Sequence, residues 1–148
     1  MNSFYDALEN SDPAEREADL MAALPTQIEN ARSNSPAFAE ILAGIDPASI
    51  NSRAALATLQ VTSKYQLQER QAAQRADNAF GGFATMGFGP GMPRVFCSPG
   101  PIYEPEGARR DYWRMARALH AAGFRAGELA HNSFSYHFVP AGSMMENG

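Results

Sequence analysis

Ser98-Pro99-Gly100-Pro101 constrains this chain more than any other four residues, because neither proline can donate an amide hydrogen to a sheet ladder. The run before it, Arg94-Val95-Phe96-Cys97, has the β-branched and aromatic bias of a strand and is expected to end at Cys97. From Gly107 onward the pattern is helical. Tyr112, Met115, Ala116, Leu119 and Ala122 form one stripe for a core, and Arg110, Arg114 and Arg117 form another for water. Glu104, Glu106 and Asp111 suit the positive start of that helix, Gly123 suits a left-handed end, and Phe124 is placed to fold back on Leu119. Leu129 to Phe134 reads as the next strand. Strand, crossover helix and parallel strand make a βαβ unit.

Two strands are too few for a stable parallel sheet, and 12 residues follow Tyr136. The expected fold class is therefore α/β: an N-terminal helical lobe followed by the first βαβ unit of an incomplete parallel sheet, part of a larger α/β protein. The alternative is a small complete protein that borrows strands from a partner. Residues 1–11 read as a loose lead-in, 12–77 as the helical lobe, 78–93 as a loop rich in Gly, Phe and Pro, and 94–148 as the start of the α/β domain.

Within the helical lobe, local signals mark each start. Asp12 before Pro13, with Glu15 three residues after the cap, opens a helix whose stripe of Leu20, Ala23, Leu24, Ile28 and Ala31 continues through Arg32. Pro25 inside that stripe predicts a kink or two helices meeting. Ser35-Pro36 opens a second helix carrying Phe38, Ile41 and Leu42, which Gly44 ends. Asn51 or Ser52 can cap a third, and Val61-Thr62-Ser63-Lys64 leads to a fourth with Leu67 on its apolar side. The tract from Asn78 to Pro93 is expected to pack across these helices, since its phenylalanines do not suit a bare linker. It lacks the lysine and the following helix of a phosphate-cradling loop.

Composition narrows the function classes. With 12 basic against 16 acidic residues, the net charge of −4 offers no electrostatic case for nucleic acid or an anionic membrane. No apolar run approaches the roughly 20 residues of a membrane helix, and Met1 to Asn10 lacks the basic start and apolar core of a secretion signal. The cytoplasm is the expected compartment, and a single Cys97 agrees with a reducing one.

Several segments, in order, carry a resemblance. Ser35-Pro36-Ala37-Phe38 follows opening helices of familiar cadence, and Leu59-Gln60-Val61-Thr62-Ser63-Lys64 is similar to a Leu-Pro-Val-Thr-Thr-Lys segment with Gln60 in place of the proline. Phe96-Cys97-Ser98-Pro99-Gly100 falls where a nucleotide loop, Ser-Ser-Gly-Thr-Thr-Gly-Lys-Pro, would lie. Gly123-Phe124 with Gly127-Glu128, and Phe134 to Gly142, match the segments that follow. In these features, from about Asp12 onward, the chain resembles the N-terminal part of the phenylacetate-CoA ligases of the adenylate-forming superfamily.

The resemblance implies a two-step ligase. ATP and a carboxylic acid, such as an aryl acetate, would give an acyl-adenylate and pyrophosphate, and coenzyme A would displace AMP to give a thioester, with Mg2+ balancing the triphosphate charge. It implies a nucleotide loop at Ser98, Gly100, Tyr103 and Pro105, and an acyl pocket touching Tyr136, His137 and Phe138. Its catalytic residues are expected beyond Gly148, so these 148 residues alone are expected to be inactive. The implied partners are a small carboxylic acid and the remainder of the α/β domain, and a second copy of the chain is a further candidate. One departure is chemical: Pro101, Ile102, Tyr103 and Glu104 stand where the family has Thr, Thr, Gly and Lys, so two hydroxyls, a glycine and a positive charge are replaced. That departure favours the alternative of a non-catalytic relative or assembly module.

Other residues read more plainly. His131 and His137 have the wrong spacing for a compact metal motif and are expected in a core or pocket wall, and no metal site is expected. Cys97 has no base at a recognisable spacing and is expected to be buried; His120 is expected to be partly exposed and Trp113 to serve packing.

Overall fold

The computed structural model describes residues 4–148. It is a mixed α/β chain in two compact units, one formed by Asp12–Gly87 and the other by the segment ending at Ser11 together with Phe88–Gly148.

In the Asp12–Gly87 unit, α1 spans Pro13–Asn34, and the Asp12 carboxylate accepts from the amides of Ala14 at 2.8 Å and Glu15 at 3.2 Å. These are two of the donors that a helix start leaves without partners. Of the two arrangements expected at Pro25, two helices meeting there is not what forms: α1 is a single helix with Pro25 inside it. The proline removes one rung from a 22-residue ladder, and the turns on either side keep theirs.

Ser35 ends α1 and begins α2 (Pro36–Ile41). Its amide donates to Ala31 O at 3.0 Å, and its hydroxyl accepts from Phe38 N at 3.3 Å and donates to Gly82 O at 2.7 Å. The residue is 1% exposed, so all three bonds are shielded from water. Gly82 O also accepts from Ala37 N at 3.1 Å, and a Cβ on Gly82 would stand 3.2 Å from that nitrogen, at a backbone φ of +78°. A glycine is needed there twice over. Part of the Gly/Phe-rich tract thus packs onto the helices: Phe80 is buried and Phe83 meets Phe38 edge to face at 5.6 Å.

Ser52 caps the single turn α3 (Arg53–Leu56), and Ser63 with Gln66 forms a reciprocal capping box at the start of α4 (Lys64–Gln74). Ile28, Leu42 and Ile50 form the core, with Phe38, Ile45 and Leu59 packed against it. Arg70 of α4 donates to Gly81 O at 2.8 Å and forks onto Glu40 of α2 at 2.7 and 2.9 Å.

The other unit corrects the expected topology. β1 (Arg94–Ser98) and β2 (Ile102–Glu106) pair antiparallel, with Arg94 opposite Glu106 and Ser98 opposite Ile102. β1 runs one residue past Cys97, and Pro99-Gly100-Pro101 is the turn of a hairpin instead of the exit to a crossover helix. Gly100, at φ +147°, takes a conformation open to glycine.

The expected helix from Gly107 is reduced to α5, Ala116–Ala121, because Asp111 and Arg114 lie at φ +47° and +58°, which no right-handed helix allows. Its end agrees with the sequence: Gly123 is at φ +103°, and Phe124 N donates back to Leu119 O at 3.0 Å. Leu129 to Phe134 forms no strand, so there is no parallel pairing and no βαβ unit among the described residues. Leu129 is fully exposed, and Asn132 spends its side chain on local bonds to Phe134 N, Tyr136 Oη and Gly142 O. Such bonds hold a loop and compete with a ladder. A last helix, α6, spans Ala141–Asn147.

Ser35→Ala removes a buried hydroxyl, taking the acceptor from Phe38 N and leaving Gly82 O with the Ala37 amide as donor. It is expected to lower the urea unfolding free energy by about 2 kcal/mol, whereas Ser33→Ala, on the exposed side of α1, should change it by less than about 0.5 kcal/mol.

Candidate functional site

The hairpin turn and the segment around Tyr136 are the two places to which the resemblance would assign function, and one backbone bond joins them. Cys97 N donates to Phe138 O at 2.7 Å. The Cys97 amide therefore points away from β2, and by the alternation of an antiparallel ladder so would an amide at the next position of the same class, Val95 opposite Pro105. Pro105 thus sits in a strand without removing a ladder bond.

Even-numbered hairpin residues share one face: Phe96, Ile102 and Glu106 are buried on it, with Ser98 and Glu104 half-buried beside them. The Ser98 hydroxyl donates to the Glu104 carboxylate across that face. Tyr103 lies on the opposite face, paired with Cys97. Gly100 is exposed at the tip, between two prolines that have no N–H to offer.

Tyr136, His137 and Phe138 follow one another along an exposed segment. Tyr136 is 50% exposed and Phe138 75%; the Tyr136 hydroxyl accepts from Asn132 at 2.7 Å, and His137 Nδ1 lies 3.0 Å from Ser135 Oγ. His131 is elsewhere, on the wall of a cavity of about 150 Å³ with Leu119, Phe124, Phe134 and Met145. His120 is half-buried against the edge of the Tyr5 ring at 5.7 Å, and Cys97 is half-buried with a free thiol. The described residues contain no group of three or more His, Cys, Asp or Glu arranged to hold a metal ion, and no helix long and apolar enough to cross a membrane.

A cluster that sequence reasoning missed lies at the open end of the hairpin. Glu106, only 3% exposed, accepts from Arg94 Nη1 at 2.6 Å on one oxygen, and from Trp113 Nε1 at 2.9 Å and Ser143 Oγ at 3.1 Å on the other. Arg94 and Asn147 both donate to Ser143 Oγ, at 3.0 and 3.1 Å. Burial pushes the Glu106 carboxyl upward, but the donors Trp113, Arg94 and Ser143 outweigh it and hold the group below the usual carboxylate range. The carboxylate is ionised and engaged on both oxygens, so it fastens β1, β2, Trp113 and α6 together and has no proton to move.

The expectation that Glu106 lies near the positive start of a helix is thus corrected: it ends β2. The available signal was its spacing: Arg94 and Glu106 stand equally far from Gly100, as partners in a hairpin must. The arginine stripe is corrected too. Arg117 is on α5 and pairs with Asp6, whereas Arg110 and Arg114 lie in the non-helical stretch before it.

Compared with models of known protein families and with curated protein sequences, the chain matches none.

Because the folded Glu106 pKa is lowered, its contribution is present above the ordinary carboxylate pKa and is lost as pH falls through the folded value. Glu106→Gln is therefore expected to cost about 2 kcal/mol in urea unfolding near neutral pH, with the gap from wild type narrowing below about pH 4.

Proposed function

We propose that the chain forms the N-terminal part of an ATP-dependent acid–thiol ligase, which activates a carboxylic acid such as an aryl acetate as its adenylate and passes the acyl group to coenzyme A. The observation that carries this reading is the 2.7 Å bond from Cys97 N to Phe138 O. The two segments that the resemblance assigns to one active site, the turn at Ser98–Pro105 and the aromatic segment Tyr136–Phe138, are neighbours in the fold although about 40 residues separate them in sequence. Tyr136 and Phe138 present exposed rings beside the hairpin, as one wall of an acyl pocket would before its other wall is supplied.

The hairpin does not suit the family's way of holding a triphosphate. Pro99 and Pro101 lack amides, and Glu104 brings a negative charge close to the turn. In this reading the turn covers the site, and the groups that bind ATP phosphates and Mg2+ lie outside the hairpin. Tyr136 to Phe138 contribute the acyl-side wall, and the hairpin the cover.

A second reading is favoured by the Ser98–Glu104 pair, which uses the one hydroxyl retained from the nucleotide loop for an internal bond. In that reading the chain keeps the scaffold of the ligases as a non-catalytic module.

ATP–pyrophosphate exchange by the product of the complete reading frame, scanned over aryl and alkyl acids, separates the two. The ligase reading expects exchange with an aryl acid, reduced at least about tenfold by Gly100→Pro, which the φ of +147° cannot accommodate, and by Tyr103→Ala. No exchange with any acid, from a protein with a cooperative unfolding transition, would leave the non-catalytic module.

A further inference from the structure

The unit containing the hairpin also holds a cavity of about 560 Å³ into which four arginines converge: Arg109, Arg110, Arg114 and Arg117, with Tyr5 and Asn147 among its other walls. This is a third of the 12 basic residues of a chain whose net charge is −4. Such a concentration is opposed by self-repulsion unless anions offset it.

The protein's own anions offset it in part. Arg117 pairs with Asp6. Asp111 is also in the wall, but its Oδ1 is occupied by the amides of Met115 at 2.7 Å and Ala116 at 3.2 Å. The Arg109 guanidinium stacks on the Tyr112 ring at 5.7 Å. Arg110 and Arg114 make no ion pair among the described residues, and Glu9, which accepts from the Tyr5 amide, is the one further carboxylate acting on Arg117, so the four guanidiniums outnumber the three neighbouring side-chain carboxylates, Asp6, Glu9 and Asp111.

Arg114 is held by a backbone at φ +58°, which residues other than glycine, asparagine and aspartate rarely adopt, and Asp111 by one at +47°. Two left-handed residues within four positions break the helical path, and Arg110 and Arg114, which one helical face would have carried to solvent, line a common concavity. All the cationic walls are arginine, whose planar fork meets two phosphate oxygens at once. The volume lies within the roughly 300–1,000 Å³ of small-molecule sites and exceeds what a lone inorganic ion fills.

We propose that this cavity binds the di- or triphosphate group of a small phosphorylated molecule, with Arg110 and Arg114 as its principal ligands and Arg109 and Arg117 at the sides. The site stands on this geometry alone and does not depend on the ligase reading.

Calorimetric titration of the complete gene product with inorganic pyrophosphate, and separately with ADP, tests it. Wild type is expected to bind pyrophosphate, with affinity falling as salt rises from about 50 to about 200 mM. Arg110→Ala with Arg114→Ala should weaken binding by at least about tenfold. Arg114→Gly, which removes the guanidinium at a backbone that glycine favours, should weaken it while leaving the thermal midpoint unchanged or higher. Arg53→Ala, in the other unit, should leave binding as it is. ADP binding tighter than pyrophosphate would assign the site to a nucleotide, and equal binding to the diphosphate group alone. Absence of pyrophosphate binding by wild type, or affinity unchanged in both arginine variants, would overturn the proposal.

Discussion

Glu106 is a charge taken out of water, and the unit that contains it depends on how that charge is satisfied. A buried carboxylate with one donor would be a liability; with Arg94, Trp113 and Ser143 all donating, it stays ionised and ordered. The donors come from β1, from the stretch after β2 and from α6. A two-stranded hairpin is marginal in isolation, and this one gains its third dimension from a polar knot as much as from the apolar contacts of Phe96 and Ile102. The φ values at Asp111 and Arg114 belong to the same constraint, since the chain between β2 and α5 must return Trp113 to the end of the strand it has just left.

What could be read from the sequence divides along the range of the interactions involved. The starts at Asp12, Ser35, Ser52 and Ser63 were legible because a cap is decided within three or four residues. The turn at Gly123 was legible for the same reason. The stretch after Gly100 is not legible locally, because Pro-Gly-Pro suits both a strand exit and a hairpin turn. The choice between them rests on Arg94 meeting Glu106 and Cys97 meeting Phe138, which no local window contains. At Pro25 the local rule leaves a kink and two separate helices both open, and the 22-residue helix continues through it.

The candidate site was legible as residues and not as an arrangement. Ser98, Gly100, Tyr103 and Pro105 stand out in sequence by their order, yet their separation onto a tip and two faces follows only from the antiparallel register. Tyr136 and Phe138 were noticed as aromatic, and their exposure beside the hairpin is a tertiary fact. The arginines were read as a solvated stripe because periodicity assumes that the helix continues. Two left-handed residues were enough to turn a face into a concavity.

The indole that donates to Glu106 is the only one in the chain. Tryptophan emission from this protein therefore originates in a single place, against a carboxylate and within edge contact of Phe96 and Tyr112, in the unit that holds the hairpin. The Asp12–Gly87 unit has no tryptophan but carries α1 to α4, the larger share of the helix. Fluorescence and far-ultraviolet dichroism, usually treated as two views of one transition, here observe different halves of the molecule, and any difference between their melting curves measures how far the two units unfold apart.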